Sequence, residues 1–299
     1  MMKHYVSYVI TLIGASLWGV TGLFVDGLYN HGFSAWEIVA IRLSVAAVIL
    51  LVVLGIAKPS LLKIEKRHIL HFVGLGVLGI VFFNWCYFTV MKQASLSIAV
   101  VLLYTMPIFV TVLSRIFFRE QITPRKITSV AMTLVGCALA IQLLPIGNMS
   151  LSASSIGLGL CSAFFCGLYS LIGKEVGKYY HYLTVTFYAL MMGCVFIFPT
   201  SGLWQKIEAF QSLDVWIHIS GIALLSTLGA YILYTYGLTY IESSKAAILG
   251  AMEPIVAIIL GVLVFQDNLT LLQGLGIGLV IGAAFITVIR PKRKVYRKT

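Results

Sequence analysis

The chain has 299 residues, 60% of them hydrophobic and only 10% charged, with a net charge of +11 and a mean hydropathy of +1.00. Soluble domains carry charge at roughly a quarter of their positions, so this composition excludes a water-soluble enzyme as the body of the chain. Nucleic-acid binding is set aside for the same reason, because in a chain this apolar the excess positive charge reads as membrane orientation.

Apolar windows of about the 20 residues needed to cross a bilayer recur along the whole length, at approximately 5–25, 33–56, 69–90, 94–117, 125–144, 152–172, 180–199, 215–239, 244–265 and 270–289. The first lacks a small-residue cleavage site and is followed by further spans, so it is read as a true helix and not a signal peptide. It carries Trp18. The second holds Arg42 between Ile41 and Leu43, where a charge must find a carboxylate, a carbonyl or a wet pocket. Glu37 is five residues away, off the i+3 and i+4 neighbour positions, so no pairing with Arg42 is assumed. In the third window Asn84, Trp85 and Tyr87 lie deep, and His68 and His71 mark its solvated start.

The fourth window contains Tyr104 and Pro107, the sixth Tyr169, and the eighth Tyr231 and Tyr234, which share a face with Thr227 and Leu238. Buried hydroxyls and amides seek partners, which makes Trp18, Asn84, Trp85, Tyr87, Tyr104, Tyr169, Tyr231 and Tyr234 candidates for a polar, aromatic substrate pocket. Trp36, Trp204 and Trp216, near helix ends, read as interface belt residues. Cys86, Cys137, Cys161, Cys166 and Cys194 all fall in apolar windows without a CxxC pair or metal spacing, and are read as small buried hydrophobes. No metal or cofactor is inferred.

The ninth window, "AILGAMEPIVAIILG", sets Glu253 beside Pro254. Pro254 cannot donate to the carbonyl of Gly250, nor Pro107 to that of Leu103, so both helices should kink near mid-membrane, Gly250 leaving room for the proline ring. A carboxylate at that depth costs about 2.5–3.5 kcal/mol on insertion scales and should not face lipid. Ala246, Gly250, Ala257 and Gly261 lie on its face at helical spacing, which points Glu253 inward. Three roles stay open for it: a proton carrier that loads and unloads as a cavity opens, a counter-ion to a cationic substrate, or a structural partner to Arg42 or to the broken backbone. Arg42 is likewise open between an anion-binding and a structural role.

Shifting the sequence by 147 positions lays His71, Gly74, Leu78, Tyr87, Ser97, Ala99, Leu102, Pro107, Ile108, Leu113, Phe118 and Thr123 on identical residues from His218 to Thr270. A shift of 148 matches "ASLWGVT" to "AFFCGLY". Such self-similarity marks a tandem repeat, with halves at 1–147 and 148–291 and a basic tail at 292–299. Five spans per half is odd, so the second half is inverted. Charge agrees: "RIFFREQITPRK" carries four basic residues and its partner "VLVFQDNLTLLQ" none. With a cytoplasmic amino terminus, most Lys and Arg outside the spans fall on one side, which places both termini in the cytoplasm. The fold class is therefore an all-α membrane protein of ten transmembrane helices in two inverted five-helix repeats, an arrangement suited to alternating access.

Two such repeats, together with "GASLWGV", "IVAIRLSVAA", "LLYTMPIFVTVLSRIFFREQIT" and "LGAMEPIVAIILGVLVFQDNLT", resemble the EamA branch of the drug/metabolite transporter superfamily. The acidic residue common after the ninth helix, usually Glu, is Asp267 here, and its first-half counterpart is Glu120. The resemblance implies a carrier of small metabolites or drugs in a bacterial cytoplasmic membrane, often an exporter, with a central cavity between the halves. The expected function is export of an amino acid or an amphipathic, cationic amine by alternating access, with protons as coupling partners. A facilitative uniporter or importer of a choline-like amine is the alternative, and a channel or intramembrane enzyme a distant one. No nucleotide-binding GxxxxGK[ST] and no HExxH occurs, so neither ATP use nor metalloprotease chemistry is expected. Oligomeric state stays open, since the glycines of "GLGIGLVIGAA" suit packing either within a protomer or between two.

Overall fold

The computed structural model describes residues 2–94, 96–142, 152–264, 266 and 268–289, all helix and connecting turns. Asp267 and the tail at 292–299 lie outside them. Nine helices among the described residues are long and apolar enough to cross a membrane. In the first half these are α1 (Tyr5–Asn30), α2 (Ala35–Ala57), α3 (Lys66–Gln93) and α4 (Ile98–Phe118). The tenth expected span, α5 (Pro124–Ala140), has 17 residues, at the short end of the spanning range. The second half contributes α6 (Ala153–Val176), α7 (Tyr182–Ser201), α8 (Leu213–Tyr240), α9 (Ser243–Val264) and α10 (Leu271–Val288).

The repeat is visible in the punctuation of these helices. Ser34 caps α2 by accepting from Glu37 N, and His181, 147 positions on, caps α7 by accepting from Leu183 N. Thr123 and Thr270, again 147 apart, cap α5 and α10 through the amides of Lys126 and Gln273. A side-chain acceptor at this position satisfies an amide that the helix leaves without a partner. Past the ends of α4 and α9, Arg119 and Gln266 adopt φ of 55° and 58°, the left-handed conformation that closes a helix. Inside α3 and α8, Gly74–Phe82 and Ile222–Gly229 are wound as π-helix. Neither π segment has a proline or charge to announce it.

Helices pack across the halves in pairs that the repeat makes equivalent. α1 lies against α8 and α9, and α6 against α3 and α4, while α2 pairs with α7 and α5 with α10. At the α5–α10 crossing a Cβ on Gly276 would lie 2.4 Å from Ala140 N and 2.5 Å from Gly136 O, so two backbones touch there. Gly274 and Gly278 have no atom of the protein within 4 Å of such a Cβ. Gly276 and Gly282, whose Cβ would lie 2.9 Å from Met132 Cε, thus pack within the protomer, while Gly274 and Gly278 face outward.

The outer surface is apolar, with Ile13, Val48, Val52, Ile116, Val195, Leu263 and Phe285 among its exposed side chains. Trp204 and Trp216 are exposed near helix ends, and Trp216 Nε1 donates to the Phe210 carbonyl at 2.8 Å. Two expectations need correction. Cys161 is exposed on α6 and not a core residue, because it falls on the face opposite Ser162 and Ala163. His68 is buried and not solvated: it shares a 2.8 Å hydrogen bond with Tyr180 Oη and stacks on Tyr179, so partners on the second half draw it in.

Candidate functional site

Three interrupted helices meet at the centre. α4 ends a first helical segment at Leu103, turns through Tyr104 and Thr105, and resumes at Met106. α9 ends its first segment at Gly250, turns at Ala251 and resumes at Met252. Pro107 and Pro254 sit in the first turn of the resumed segments, where a missing N–H leaves no helical bond unmade. Short three-residue bonds replace the α pattern at each break, Thr105 N to Leu102 O at 3.1 Å and Ala251 N to Ile248 O at 3.2 Å. α1 is interrupted at Val20, where Thr21 Oγ1 donates to the Trp18 carbonyl.

Glu253 opens the second segment of α9. Its Oε2 accepts from the hydroxyl of Tyr104 at 3.0 Å, so the break of one half holds the acid of the other. Gly19 of α1 presses on the same turn: a Cβ there would stand 2.6 Å from the Glu253 carbonyl oxygen and 2.7 Å from Val256 Cβ. The stripe of small residues expected to continue past Glu253 does not hold. Ala246 and Gly250 are buried, but Ala257 is exposed and Gly261 half-buried, because the interruption at Ala251 turns the second segment relative to the first.

Arg42 donates from Nη2 to Asn84 Oδ1 at 3.2 Å, and Asn84 Nδ2 donates to the carbonyl of Ile80, inside the π segment, at 2.7 Å. Arg42 Nε is buried with no hydrogen-bond partner. Glu37 is engaged elsewhere, its Oε2 accepting from Ser34 N at 2.6 Å in the cap of α2. No ion pair joins Arg42 and Glu253 among the described residues. Neither has a counterpart in the opposite half. Glu253 is matched by Met106, and Arg42 by Ala189 or Leu190 according to the shift.

The tyrosines form a connected wall. Tyr231 meets Trp18 edge-on at 5.3 Å between ring centroids and Tyr169 at 5.1 Å; Trp18 also approaches Tyr234 at 4.9 Å. The hydroxyls of Tyr169 and Tyr234 are satisfied by residues that sequence reading passed over. Tyr169 shares a 2.7 Å hydrogen bond with Thr235, and Tyr234 a 2.9 Å bond with Ser170. Tyr169, Tyr231 and Tyr234 are buried, and Tyr87 is half-buried against Phe83 and Phe88. Trp85 is not brought to this wall. It is 49% exposed, with its edge on Phe82, because the residue beside Asn84 on a helix points away from Asn84's inward face.

A second polar cluster lies where the turn between α4 and α5 meets the start of α9. Glu120 accepts from Ser243 N at 2.9 Å, Ser244 N at 3.4 Å and Ser244 Oγ at 2.5 Å, capping α9 from the other half. Lys126 bridges Glu120 at 3.3 Å and Glu242 at 2.5 Å, and Lys245 reaches Glu242 at 3.4 Å. Lys126 and Glu120 are 6% and 7% exposed, deep enough for each charge to need the other. The sequence showed Glu120 only as the counterpart of Asp267, because a charge at a span end reads as solvated until its partners 120 residues away are known.

Helical halves related by an inverted repeat, with a broken span in each half and an acid where the breaks meet, define a polytopic membrane protein of the inverted-repeat type. A family model described as the EamA-like transporter family matches residues 6–142 and again 153–289. The chain belongs to that family, within the drug/metabolite transporter superfamily. An uncharacterized transporter of Archaeoglobus fulgidus is 24% identical over 96% of this chain and 99% of its own length. The transporter YoaV of Bacillus subtilis is 27% identical over 90% of each. The threonine/homoserine exporter RhtA of Escherichia coli is 28% identical over 83% of this chain and 79% of its own. A solved crystal structure shares the fold, with a TM-score of 0.77 at 15% identity over 94% of this chain and 95% of that one.

Proposed function

We propose that this transporter is a secondary active exporter of small organic metabolites, amino acids or amphipathic amines, working by alternating access in the cell membrane with both termini in the cytoplasm. The observation that carries the reading is the hydrogen bond between Tyr104 and Glu253, which couples the broken span of one half to that of the other. A span interrupted at mid-depth can change angle without losing its helical ends, and an acid placed at that joint responds to which half has moved. The halves at 1–147 and 148–291 are the moving bodies. The Glu120–Lys126–Glu242 cluster closes them at the end that positive charge assigns to the cytoplasm. Glu253 exchanges a proton with each side in turn, so that proton entry drives substrate exit. The name of the relative RhtA supports amino acids as cargo.

The test is flux in proteoliposomes carrying an internal pH dye, with Glu253→Gln beside the wild type. Solute-dependent proton movement that disappears in the variant is the expected result. Solute flux that persists in the variant with no pH signal in either protein removes proton coupling from the proposal.

A further inference from the structure

We infer that the turn joining α4 to α5 holds the headgroup of an anionic phospholipid, with Arg115, Arg119 and Arg125 receiving its phosphate. The site lies apart from the central breaks and does not depend on which solute the protein moves.

The turn forms an open crevice of about 550 Å³, lined by Arg115, Gln121, Ile122, Thr123 and Pro124. Arg119, closing α4, and Arg125, in the first turn of α5, are exposed like Arg115. None of the three side chains has a hydrogen bond or ion pair among the described residues. The acid within the turn is already occupied: Glu120 is 7% exposed, and its oxygens serve Ser243, Ser244 and Lys126. Three unpaired guanidiniums therefore stand in and beside one crevice, and a guanidinium can grip a phosphate with two parallel hydrogen bonds.

Apolar surface runs up to the same place. Ile108, Val112 and Ile116 are exposed along α4 at four-residue spacing, and Ile127 and Val135 are exposed along α5. Residues so spaced share a face of a helix, and in a spanning helix an exposed apolar face meets acyl chains. A basic crevice at the end of two such stripes fits a molecule with an anionic head and apolar tails. A soluble phosphate would engage only the head of this arrangement.

The repeat supplies an internal comparison. The equivalent crevice of the second half, about 250 Å³, is lined by Ala257, Ile258, Gly261, Val262, Asn268 and Gln273, none of them charged. Shifted by 147 positions, Arg115, Arg119 and Arg125 fall on Val262, Gln266 and Leu272. Gln266 repeats the left-handed φ of Arg119, so the backbone is kept where the charge is not. The crevice thus belongs to the fold, whereas its arginines belong to one end alone. That is the end that positive charge assigns to the cytoplasm, where the leaflet carries anionic lipid.

The experiment titrates the purified full chain in a neutral detergent with phosphatidylglycerol, phosphatidylcholine or inorganic phosphate, and reads binding from the rise in melting temperature. Wild type should bind phosphatidylglycerol at least about fivefold more tightly than phosphatidylcholine. Arg115→Gln and Arg119→Gln should each weaken phosphatidylglycerol binding by about fivefold, the effect of one basic residue on an anionic lipid surface. Gln266 shows that the second of these substitutions suits the backbone. Lys63→Gln removes one exposed charge at the same end, between α2 and α3, and should leave binding unchanged. Equal or absent binding of the two lipids would overturn the inference. So would an equal loss in Lys63→Gln, which marks diffuse surface charge. A melting shift from inorganic phosphate as large as that from phosphatidylglycerol would also overturn it, by marking a site for a soluble anion.

Discussion

The Tyr104 hydroxyl is the contact on which most else turns, and its removal has a direct expectation. Tyr104→Phe leaves Glu253 without its donor, and stripping one partner from a buried polar pair costs about 1–3 kcal/mol. A lower melting temperature in detergent checks it, and an unchanged one would show that water replaces the hydroxyl. Gly19 offers a control pair with Gly22. Gly19→Ala forces a methyl onto the Glu253 carbonyl, and overpacking of this kind costs about 1–3 kcal/mol. Gly22→Ala meets nothing within 4 Å and should melt like the wild type. Glu253, Arg42 and the tyrosines stood out in the sequence because polar groups in apolar windows are costly. Their partners did not. Thr235 and Ser170 satisfy Tyr169 and Tyr234 across helices, and a hydroxyl on an apolar helix looks the same whether it serves a neighbour or its own backbone.

At the scale of helices, the spans were legible to within a few residues, because twenty apolar positions in a row have few other readings. The two prolines located the breaks of α4 and α9 for a physical reason, the missing donor, while the break of α1 at Val20 has no proline to mark it. The π segments of α3 and α8 were not legible, since Gly74–Phe82 and Ile222–Gly229 have a composition that suits an ordinary α-helix. The α5–α10 contact yields a sharp comparison: Gly276→Val should reduce folded yield and melting temperature, while Gly278→Val should do neither.

The cluster that caps α9 has its own signature in acid. Burial pushes the Glu242 carboxyl upward, but its ion pair with Lys126 and the charge of Lys245 outweigh that and hold it below the ordinary glutamate range. A depressed pKa contributes stability at pH above the unfolded value, near 4.3, and that contribution is lost as pH falls through the folded value. Melting profiles between pH 7 and pH 3 should therefore fall more steeply for wild type than for Glu242→Gln at the acidic end. Parallel profiles would show that the cluster does not sense Glu242.

For the whole molecule, the repeat was the most legible feature, because identical residues recur at one spacing over a long stretch. The matched caps at Ser34 and His181, at Thr123 and Thr270, and the left-handed ends at Arg119 and Gln266 reveal that the copy extends to backbone detail. Sidedness follows from charge and is open to a direct check. A cysteine at Lys178, between α6 and α7, should react with an impermeant maleimide only after whole cells are opened. A cysteine at Ser212, just before α8, should react in intact cells. The reverse pattern would invert the assignment of both termini.

The lack of a matching charge opposite Arg42 and Glu253 reaches beyond the site itself. An ancestor assembled from two identical five-helix subunits would have duplicated whatever it placed on its axis, giving two arginines or two glutamates facing each other. Within one polypeptide each copy is free to differ from the other. The joined chain could then acquire a head and a tail at its centre, and an unsymmetrical guest could have a fixed direction of entry.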